Sequence, residues 1–304
     1  MVRMRQKSNK VRLELSDMLI RGFTYAAMTF ASIVGVVPFL LVLGSSLSSE
    51  ESIRRTGFAL IPSDFSTQAY EIILKAPDTL IGSYVVTIGI TAIGTAIGLL
   101  ITAMTGYALS RRDFPLRNAI SFYIYFTSLF SAGLVPFYLM MVQTYHLRDS
   151  YLAILLPLLV SPWLIILMKN FAKALPHEVT ESGKIDGAGD FQIFTRLILP
   201  MLTPALATIG LFLAIGYWNE WYYSSLFLSS SVKYRPLQYE LYQVTNKIEA
   251  IKNSYAGAVV RLADLPGETL KMATAVIATG PIILVYPFVQ KYFVAGITVG
   301  AVKG

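Results

Sequence analysis

The feature that most constrains the fold is a series of long apolar stretches, each about as long as the roughly 20 residues that a helix needs to cross a membrane. Six stretches qualify, at about residues 19–44, 80–106, 117–142, 151–168, 201–226 and 272–296. A backbone in hydrocarbon must satisfy its own N–H and C=O groups, which only helices and closed barrels do. Because the sequence lacks the alternating ten-residue strands of a barrel, we predict an all-α polytopic membrane protein with six transmembrane helices.

The composition also indicates that lipid surrounds most of the chain. Of the 304 residues, 55% are hydrophobic and 14% are charged, a balance that a soluble domain could not bury around one core. The absence of cysteine excludes disulfides and thiolate metal sites. We therefore predict a single transmembrane domain over residues 19–304, preceded by a tail at residues 1–18.

Basic residues near the N-terminus determine the predicted orientation. The first 12 residues contain no acid but carry five cations: Arg3, Arg5, Lys7, Lys10 and Arg12. The connection between the second and third spans is also basic, and the positive-inside rule places both segments in the cytoplasm. With six spans the C-terminus is then cytoplasmic as well. A cleaved signal peptide is disfavoured, because the apolar run is too long for its hydrophobic region and no small-residue cleavage site ends it.

Glycine and proline positions predict how the spans pack. Gly94 and Gly98 have the small-xxx-small spacing that lets helix backbones approach closely, which favours a contact inside the bundle over a dimer interface. Pro136, Pro157 and Pro162 interrupt the third and fourth spans, and each removes a backbone hydrogen bond. We therefore predict kinks there.

The polar loop at residues 169–200 is the most informative segment between spans. Pro176 suits a first helical position, and Glu178 and Glu181 lie where carboxylates favour the positive end of a helix dipole. These residues predict a short helix that ends at Gly187, because glycine accepts a positive φ. Asp190 is then predicted to cap a second helix that runs towards Pro200. Such a loop is either a lever that a partner protein grips or an ordinary surface helix, and the spacing favours neither.

The same loop resembles the EAA signature of the membrane subunits of bacterial ABC importers. Glu181 begins the signature, Gly187 occupies its glycine position, and Leu197-Ile198-Leu199-Pro200 closes it. Ser182 and Gly183 stand where the family has two alanines, and Leu197 stands for isoleucine.

Three further stretches resemble the carbohydrate-uptake branch of that family. They are Gly133 to Tyr138, Trp218 to Trp221, and the C-terminal YPFVQKYFVAGITVGAVKG. The run from Lys184 to Ala188 is most similar to permeases for oligosaccharides and polysaccharides, a group that includes importers of the acidic polysaccharide alginate.

The resemblance implies a permease subunit of an ATP-driven, binding-protein-dependent importer that moves such sugars by alternating access in the bacterial cytoplasmic (inner) membrane. Its implied partners are a homologous second permease, two ATP-binding subunits, an extracytoplasmic solute-binding protein, membrane lipid and the carbohydrate, with no nucleic acid. The short helix would couple the chain to the ATPase through Glu178, Glu181, Ser182, Gly183, Asp186, Gly187, Ala188, Phe194, Leu199, Pro200, Lys303 and Gly304.

Nothing in the sequence predicts nucleotide binding or catalysis by the chain itself. Gly183-Lys184 fails as a P-loop because Ile185 replaces the serine or threonine. The two histidines lie on opposite faces of the predicted topology, and no hydrolase or zinc motif occurs. We predict no catalytic residue, no metal site and no cofactor on this chain, so that ATP and Mg²⁺ belong to the partner ATPase. The runner-up function is a passive channel or an ion-coupled carrier for a polar solute.

The fifth predicted span supplies the candidate residues of the substrate pathway. Glu220 is the only carboxylate well inside a span, and such a group usually faces a cavity or a partner. Its neighbours could stack on sugar rings or bond hydroxyl groups, and the full candidate set is Trp218, Asn219, Glu220, Trp221, Tyr222, Pro136 and Tyr138. The alternative is that the tryptophans anchor the membrane interface and that Glu220 is hydrated. A basic, tyrosine-rich loop at residues 229–271 raises the further hypothesis that the sugar is acidic. An interfacial aromatic belt with solvated charges explains the same residues without a ligand, and this alternative is slightly favoured.

Overall fold

A computed structural model describes residues 15–75, 77–253 and 267–301, with side chains described except at 15, 251–253 and 285–301. The described residues are almost entirely helical. The helices, in chain order, are α1 (Leu15–Ser46), α2 (Glu50–Thr56), α3 (Gln68–Leu74), α4 (Pro77–Ser110), α5 (Arg117–Leu129), α6 (Leu134–Leu139), α7 (Leu152–Leu159), α8 (Pro162–Lys173), α9 (Glu178–Ile185), α10 (Asp190–Ile193), α11 (Leu199–Met201), α12 (Thr203–Trp218), α13 (Tyr222–Phe227), α14 (Leu237–Asn253) and α15 (Gly267–Ala301). Two π-helical segments, Met140–Thr144 and Phe194–Ile198, follow α6 and α10.

The chain divides into two compact units. The first comprises residues 1–69 and 263–273, and within it α1 exposes its large apolar side chains, for example Phe23 and Tyr25. Buried Glu50, at the start of α2, accepts hydrogen bonds from the backbone N–H groups of Glu268 and Thr269 at 3.0 Å each. This carboxylate therefore satisfies free donors in the first turn of α15.

The second unit comprises residues 70–262 and 274–304, and α4 is its central helix. This helix packs mainly against α8 and α12. A side chain at Gly94 would overlap the ring of Tyr217, and a Cβ at Gly98 would lie 3.1 Å from the carbonyl oxygen of Leu159. The glycine spacing therefore serves close helix packing inside this chain, as the sequence predicts.

The predicted spans are more broken than the sequence indicates. In the described residues, two helices are long and apolar enough to cross a membrane alone, residues 16–46 and 77–110, and up to five spans result if each bent pair counts as one. The predicted third span is bent by 110° between α5 and α6, where Gly133 has φ +90. The fourth is bent by 42° between α7 and α8, where Pro162 begins a new helix. The sixth prediction lies within α15, a 35-residue helix.

Two connections between the predicted spans contain helices. The polar segment after the first span contains α2 and α3. The loop at 229–271, which the sequence treats as a connection, contains the 17-residue helix α14. The helix carries many polar residues, so hydropathy gives no signal for it.

Candidate functional site

The polar loop folds as a short helix and a tight turn. The helix α9 covers eight residues from Glu178 to Ile185, and Gly187 follows it with φ +76, in the left-handed region that favours glycine. The backbone N–H of Ala188 donates to the carbonyl of Gly183 at 2.9 Å, which closes the turn. The predicted helix and its glycine stop are confirmed, but Pro176 is not its first residue, because the helix begins at Glu178 with His177 as N-cap.

Two departures from the EAA signature touch each other. Gly183 is buried, and a Cβ built on it would lie 3.0 Å from Leu197 Cδ1 and 3.0 Å from Ile193 Cγ1. Such distances are tighter than ordinary van der Waals contact. The smaller residue at 183 therefore makes room for the leucine that replaces isoleucine at 197.

Asp190 does not cap the second helix, which corrects the prediction. The N-cap is Gly189, whose backbone N–H donates to Gln192 Oε1 at 3.4 Å. Asp190 lies in the first turn of α10, and its carboxylate instead accepts from Arg111 at 2.6 Å. The second helix is also not regular, because the π-helical segment Phe194–Ile198 separates α10 from α11.

A charge network holds the loop to the connection between α4 and α5. Arg111 donates to both carboxylate oxygens of Asp113, from Nε at 2.8 Å and from NH2 at 2.5 Å. Lys184 of α9 donates to Asp113 at 2.7 Å. Together with the pair between Arg111 and Asp190, these contacts clamp the chain on both sides of Gly187. We call Arg111, Asp113, Lys184 and Asp190 the clamp.

The clamp alters the ionisation of its own members. The hydrogen bond from Arg111, followed by that from Lys184, holds the pKa of Asp113 well below its usual range. Hydrogen bonding to Asp113 in turn raises the pKa of Arg111. Both groups are therefore charged at neutral pH. The sequence analysis used the connection that holds Arg111 and Asp113 only for orientation, because no local pattern reveals that Asp113 pairs with Lys184, 71 residues away.

The remaining predicted coupling residues fall into an outer and an inner group. The side chains of Glu178, Glu181, Ser182, Asp186 and Pro200 are exposed, whereas Phe194 is buried and stacks on Tyr107 with 5.5 Å between ring centroids. Ala188 and Leu199 are partly buried. Lys303 and Gly304 lie outside the described residues, as does the N-terminal tail up to residue 14.

Exposed apolar residues beside Gly187 were missed by the sequence reasoning. Ile185, the last residue of α9, is 86% exposed, and Phe191 is 68% exposed. Because these two large apolar side chains lie close together in the sequence on a polar segment, they are a candidate contact surface. The sequence signal that could have identified them is the occurrence of large apolar residues within an otherwise polar segment.

At the far end of α12, Glu220 has partners within the chain. Its carboxylate accepts from the backbone N–H of Tyr223 at 2.5 Å, and from the Ser224 N–H and hydroxyl at 3.3 and 2.6 Å. These donors belong to the first turn of α13. Glu220 is 6% exposed and therefore joins α13 to the end of α12 instead of presenting a free carboxylate.

The sequence neighbours of Glu220 contact different helices of the second unit. Trp218 is buried, and its indole N–H donates to the carbonyl of Ala278 at 3.1 Å. Asn219 is exposed and accepts from Gln238 at 3.3 Å. The indole of Trp221 stacks on Tyr242 with 4.6 Å between centroids, and is 41% exposed.

A cavity of about 470 Å³ brings together two of the predicted pathway residues. Pro136, beside the bend after Gly133, and Tyr222, at the start of α13, both line it, along with Phe137 and Tyr223. Tyr138 does not line this cavity and instead stacks on Phe227 at 5.7 Å. Among the described residues, no group of three His, Cys, Asp or Glu side chains is placed to hold a metal ion.

Comparison with known proteins identifies the family. The family model of the "Binding-protein-dependent transport system inner membrane component" matches residues 98–299, most of the chain. The chain belongs to this family. The prediction of an ABC importer permease is confirmed, as is the prediction of a transport subunit in place of an enzyme, since the family is a membrane component.

The permease has relatives that align over nearly its whole length. It is 38% identical over 293 residues to the polygalacturonan/rhamnogalacturonan transport system permease protein YtcP of Bacillus subtilis (strain 168), covering 95% of this chain and 99% of that protein. It is 25% identical over 309 residues to the arabinooligosaccharides transport system permease protein AraQ of Halalkalibacterium halodurans, covering 99% and 100%.

A solved structure is also similar. The crystal structure of a bacterial ABC transporter involved in the import of the acidic polysaccharide alginate contains a chain with TM-score 0.76 and 30% identity, which covers 92% of the permease and 98% of that chain. The permease is therefore an inner-membrane, multi-pass protein, and an ATPase and a binding protein are the partners that its family implies.

Proposed function

We propose that the permease carries oligosaccharides or polysaccharides through an importer in which α9 receives the motion of an ATP-hydrolysing subunit. In this proposal residues 19–304 form one permease domain with six spans, and both termini are cytoplasmic. Two ATP-binding subunits use ATP and Mg²⁺, a homologous permease forms the other half of the pathway, and an extracytoplasmic protein delivers the sugar.

The observation that carries the coupling proposal is the combination of an exposed apolar tip and a clamped base on α9. Ile185 is 86% exposed and can enter an apolar groove of a partner. Gly183 packs against Ile193 and Leu197, so α9 is seated on the segment that leads into α12. A displacement of Ile185 by a partner would therefore be transmitted to α12 through packed side chains.

The substrate class rests on the relatives and on the aromatic cavity. Relatives named for polygalacturonan, arabinooligosaccharides and alginate all transport sugars of more than one unit. The cavity that contains Pro136 also presents the rings of Phe137, Tyr222 and Tyr223, whose faces suit the apolar faces of pyranose rings. We assign sugar contact to this wall and to exposed Trp221, and assign support of the wall to Glu220, Trp218, Asn219 and Tyr138.

Reconstitution tests the proposed function. The permease, its partner permease, the ATPase subunits and the binding protein are placed in liposomes, and ATP hydrolysis and uptake are measured with neutral and uronate oligosaccharides. We expect ATP-dependent uptake of at least one class, with hydrolysis stimulated by the loaded binding protein. Uptake that persists without ATP or without the partners would contradict the proposal and favour a passive channel or an ion-coupled carrier.

The cavity assignment has its own test within the same system. Tyr222→Ala removes a ring from the wall, and we expect the half-saturating sugar concentration to rise by about tenfold, as for the loss of one stacking contact of about 1.4 kcal/mol. Tyr145→Ala is the matched control, because this tyrosine is exposed and does not line the cavity. Equal uptake kinetics in the Tyr222 variant and the wild type would remove Tyr222 from the pathway.

A further inference from the structure

A second cavity lies beside the first turn of α9, whereas exposed Ile185 is at the end of this helix. It has a volume of about 460 Å³ and is lined by the α4–α5 connection, the last turns of α8 and the start of α9. His177 and Thr180 form its wall on the α9 side. Whatever occupies this cavity therefore touches the helix that we propose as the coupling element.

The wall of this cavity carries a large excess of positive charge. Four lining cations have no carboxylate within ion-pair distance in the part of the chain that the structure describes: Arg112, Arg117, Lys169 and Lys173. Asp113 is the one acid among the lining residues, and Arg111 and Lys184 already hold it. Lys169 and Arg117 donate only to neutral acceptors, the Ser121 hydroxyl at 2.6 Å and the Arg111 carbonyl at 3.3 Å.

A buried hydroxyl provides a second and independent indication of a ligand. Tyr107 lines the same cavity, is 8% exposed, and its phenolic oxygen has no hydrogen-bond partner among the described residues. Buried polar groups are nearly always paired, and an unpaired hydroxyl costs about 1–3 kcal/mol. A ligand with oxygen acceptors would satisfy this donor and the cations together.

We propose that this cavity binds a phosphate group, supplied either by the headgroup of an anionic lipid or by free phosphate. A phosphate carries one to two negative charges and several acceptor oxygens, which matches four cations and a hydroxyl better than a single carboxylate does. The cavity lies where α4 and α8 end and α5 begins, the level at which a membrane presents its headgroups. Binding would neutralise the repulsion between the cations and hold α9 against α8.

The test is a binding measurement on the full-length permease purified with its partner subunits. In one arm the protein is placed in nanodiscs of phosphatidylcholine with a small share of phosphatidylglycerol, and the retained phosphatidylglycerol is counted by native mass spectrometry. In the other arm inorganic phosphate is titrated against a chloride control, and the thermal midpoint is followed. Neither arm requires transport, so failure here is separate from failure of the proposed function.

We expect one arm to give saturable binding that depends on the cavity. The double variant Lys169→Gln/Lys173→Gln should bind at least about tenfold more weakly, as for the loss of charge-assisted hydrogen bonds, and Tyr107→Phe about threefold more weakly. Lys75→Gln, which changes an exposed cation at the end of α3, should bind like the wild type. If the double variant does not assemble, Arg112→Gln at an exposed position takes its place.

The two arms also separate the sources of the phosphate. Retention of phosphatidylglycerol alone assigns the cavity to a lipid headgroup, and a phosphate-dependent shift alone assigns it to the free anion. Binding that is equal in the wild type and the cavity variants, or that does not exceed the chloride and phosphatidylcholine controls, overturns the proposal. Without any anion, Tyr107→Phe should be no less stable than the wild type, because the hydroxyl it removes is unpaired.

Discussion

Two polar interruptions of the same helical unit are held in opposite ways. At the Gly187 turn, two ion pairs of the clamp join the loop to a distant connection: Asp190 pairs with Arg111, and Lys184 pairs with Asp113. At the break between α12 and α13, the buried carboxylate of Glu220 is held by backbone N–H groups and a serine hydroxyl, with no cation in its set of hydrogen bonds. The first arrangement is partly exposed, and the second is buried.

These two arrangements differ in how readily they release the helix that they hold. Exposed ion pairs contribute little free energy each and exchange readily with water, so the clamp can position α9 and still release it. A buried carboxylate that loses its donors is costly, so Glu220 keeps α13 at a fixed angle to α12. An ionisable residue in a span is therefore not always a transport residue.

The largest expected effect comes from removing the fixed joint. Glu220→Leu leaves the Tyr223 N–H and both Ser224 donors without an acceptor, at roughly 1–3 kcal/mol for each unpaired group. We expect poor assembly with the partner subunits and a lower thermal midpoint. The milder Glu220→Gln retains one acceptor oxygen and should assemble. If Glu220→Leu assembles normally and alters only sugar selectivity, then Glu220 is a pathway residue and the comparison fails.

A smaller effect is expected from opening the clamp. Arg111→Ala removes its bonds to Asp113 and Asp190, and we expect sugar-stimulated ATP hydrolysis to fall several-fold, as for a coupling free energy of about 1 kcal/mol. Arg111→Lys keeps the charge but loses the bidentate contact with Asp113, and its sugar-stimulated ATP hydrolysis should lie between those of the wild type and Arg111→Ala. Assembly should be normal in both variants. A large loss of thermal stability in Arg111→Ala would show that the clamp is a structural joint like Glu220.

The packing under α9 should give an effect of about 1 kcal/mol. Gly183→Ala places a Cβ 3.0 Å from Leu197 Cδ1, and we expect a loss of about 1 kcal/mol from this crowding. Adding Leu197→Ile restores the signature pair and should recover part of the loss. Thermal midpoints of the two single variants and the double variant measure the coupling. Strict additivity would show that the two departures from the signature do not compensate each other.

The smallest effect is the response of the clamp to pH. The folded-state pKa of Asp113 is lowered, so its contribution to stability is complete above the unfolded value of about 3.9 and is lost as the pH falls below it. Between pH 8 and pH 5 we expect no change in the position of α9, reported by a spin label at an Ile185→Cys variant. Release should begin only below about pH 4. A transition near pH 6 would contradict the assignment of this release to Asp113.

The sequence predicts the parts of this permease that depend on local patterns. Hydropathy gives α1 and α4 within a few residues, and the glycine at 187 marks the end of α9 because its φ must be positive. A kink in the third span was predicted at Pro136, but its size of 110° and its position at Gly133 were not, since a bend depends on packing between distant segments. The clamp was missed for the same reason, because Asp113 and Lys184 are 71 positions apart. The roles of Glu220 and Tyr138 also depend on side-chain partners that periodicity does not show.

The central claim, that α9 transmits ATP-driven motion, is tested most directly by comparing two glycines in its turn. Gly187→Val forces a β-branched residue into φ +76, whereas Gly189→Ala changes a residue with φ −69 and no atom within 4 Å of its new Cβ. Sugar uptake per ATP hydrolysed is measured in the reconstituted importer, with equal amounts of assembled complex. We predict that Gly187→Val loses at least about tenfold in this ratio, whereas Gly189→Ala matches the wild type. A wild-type ratio in Gly187→Val would contradict the account.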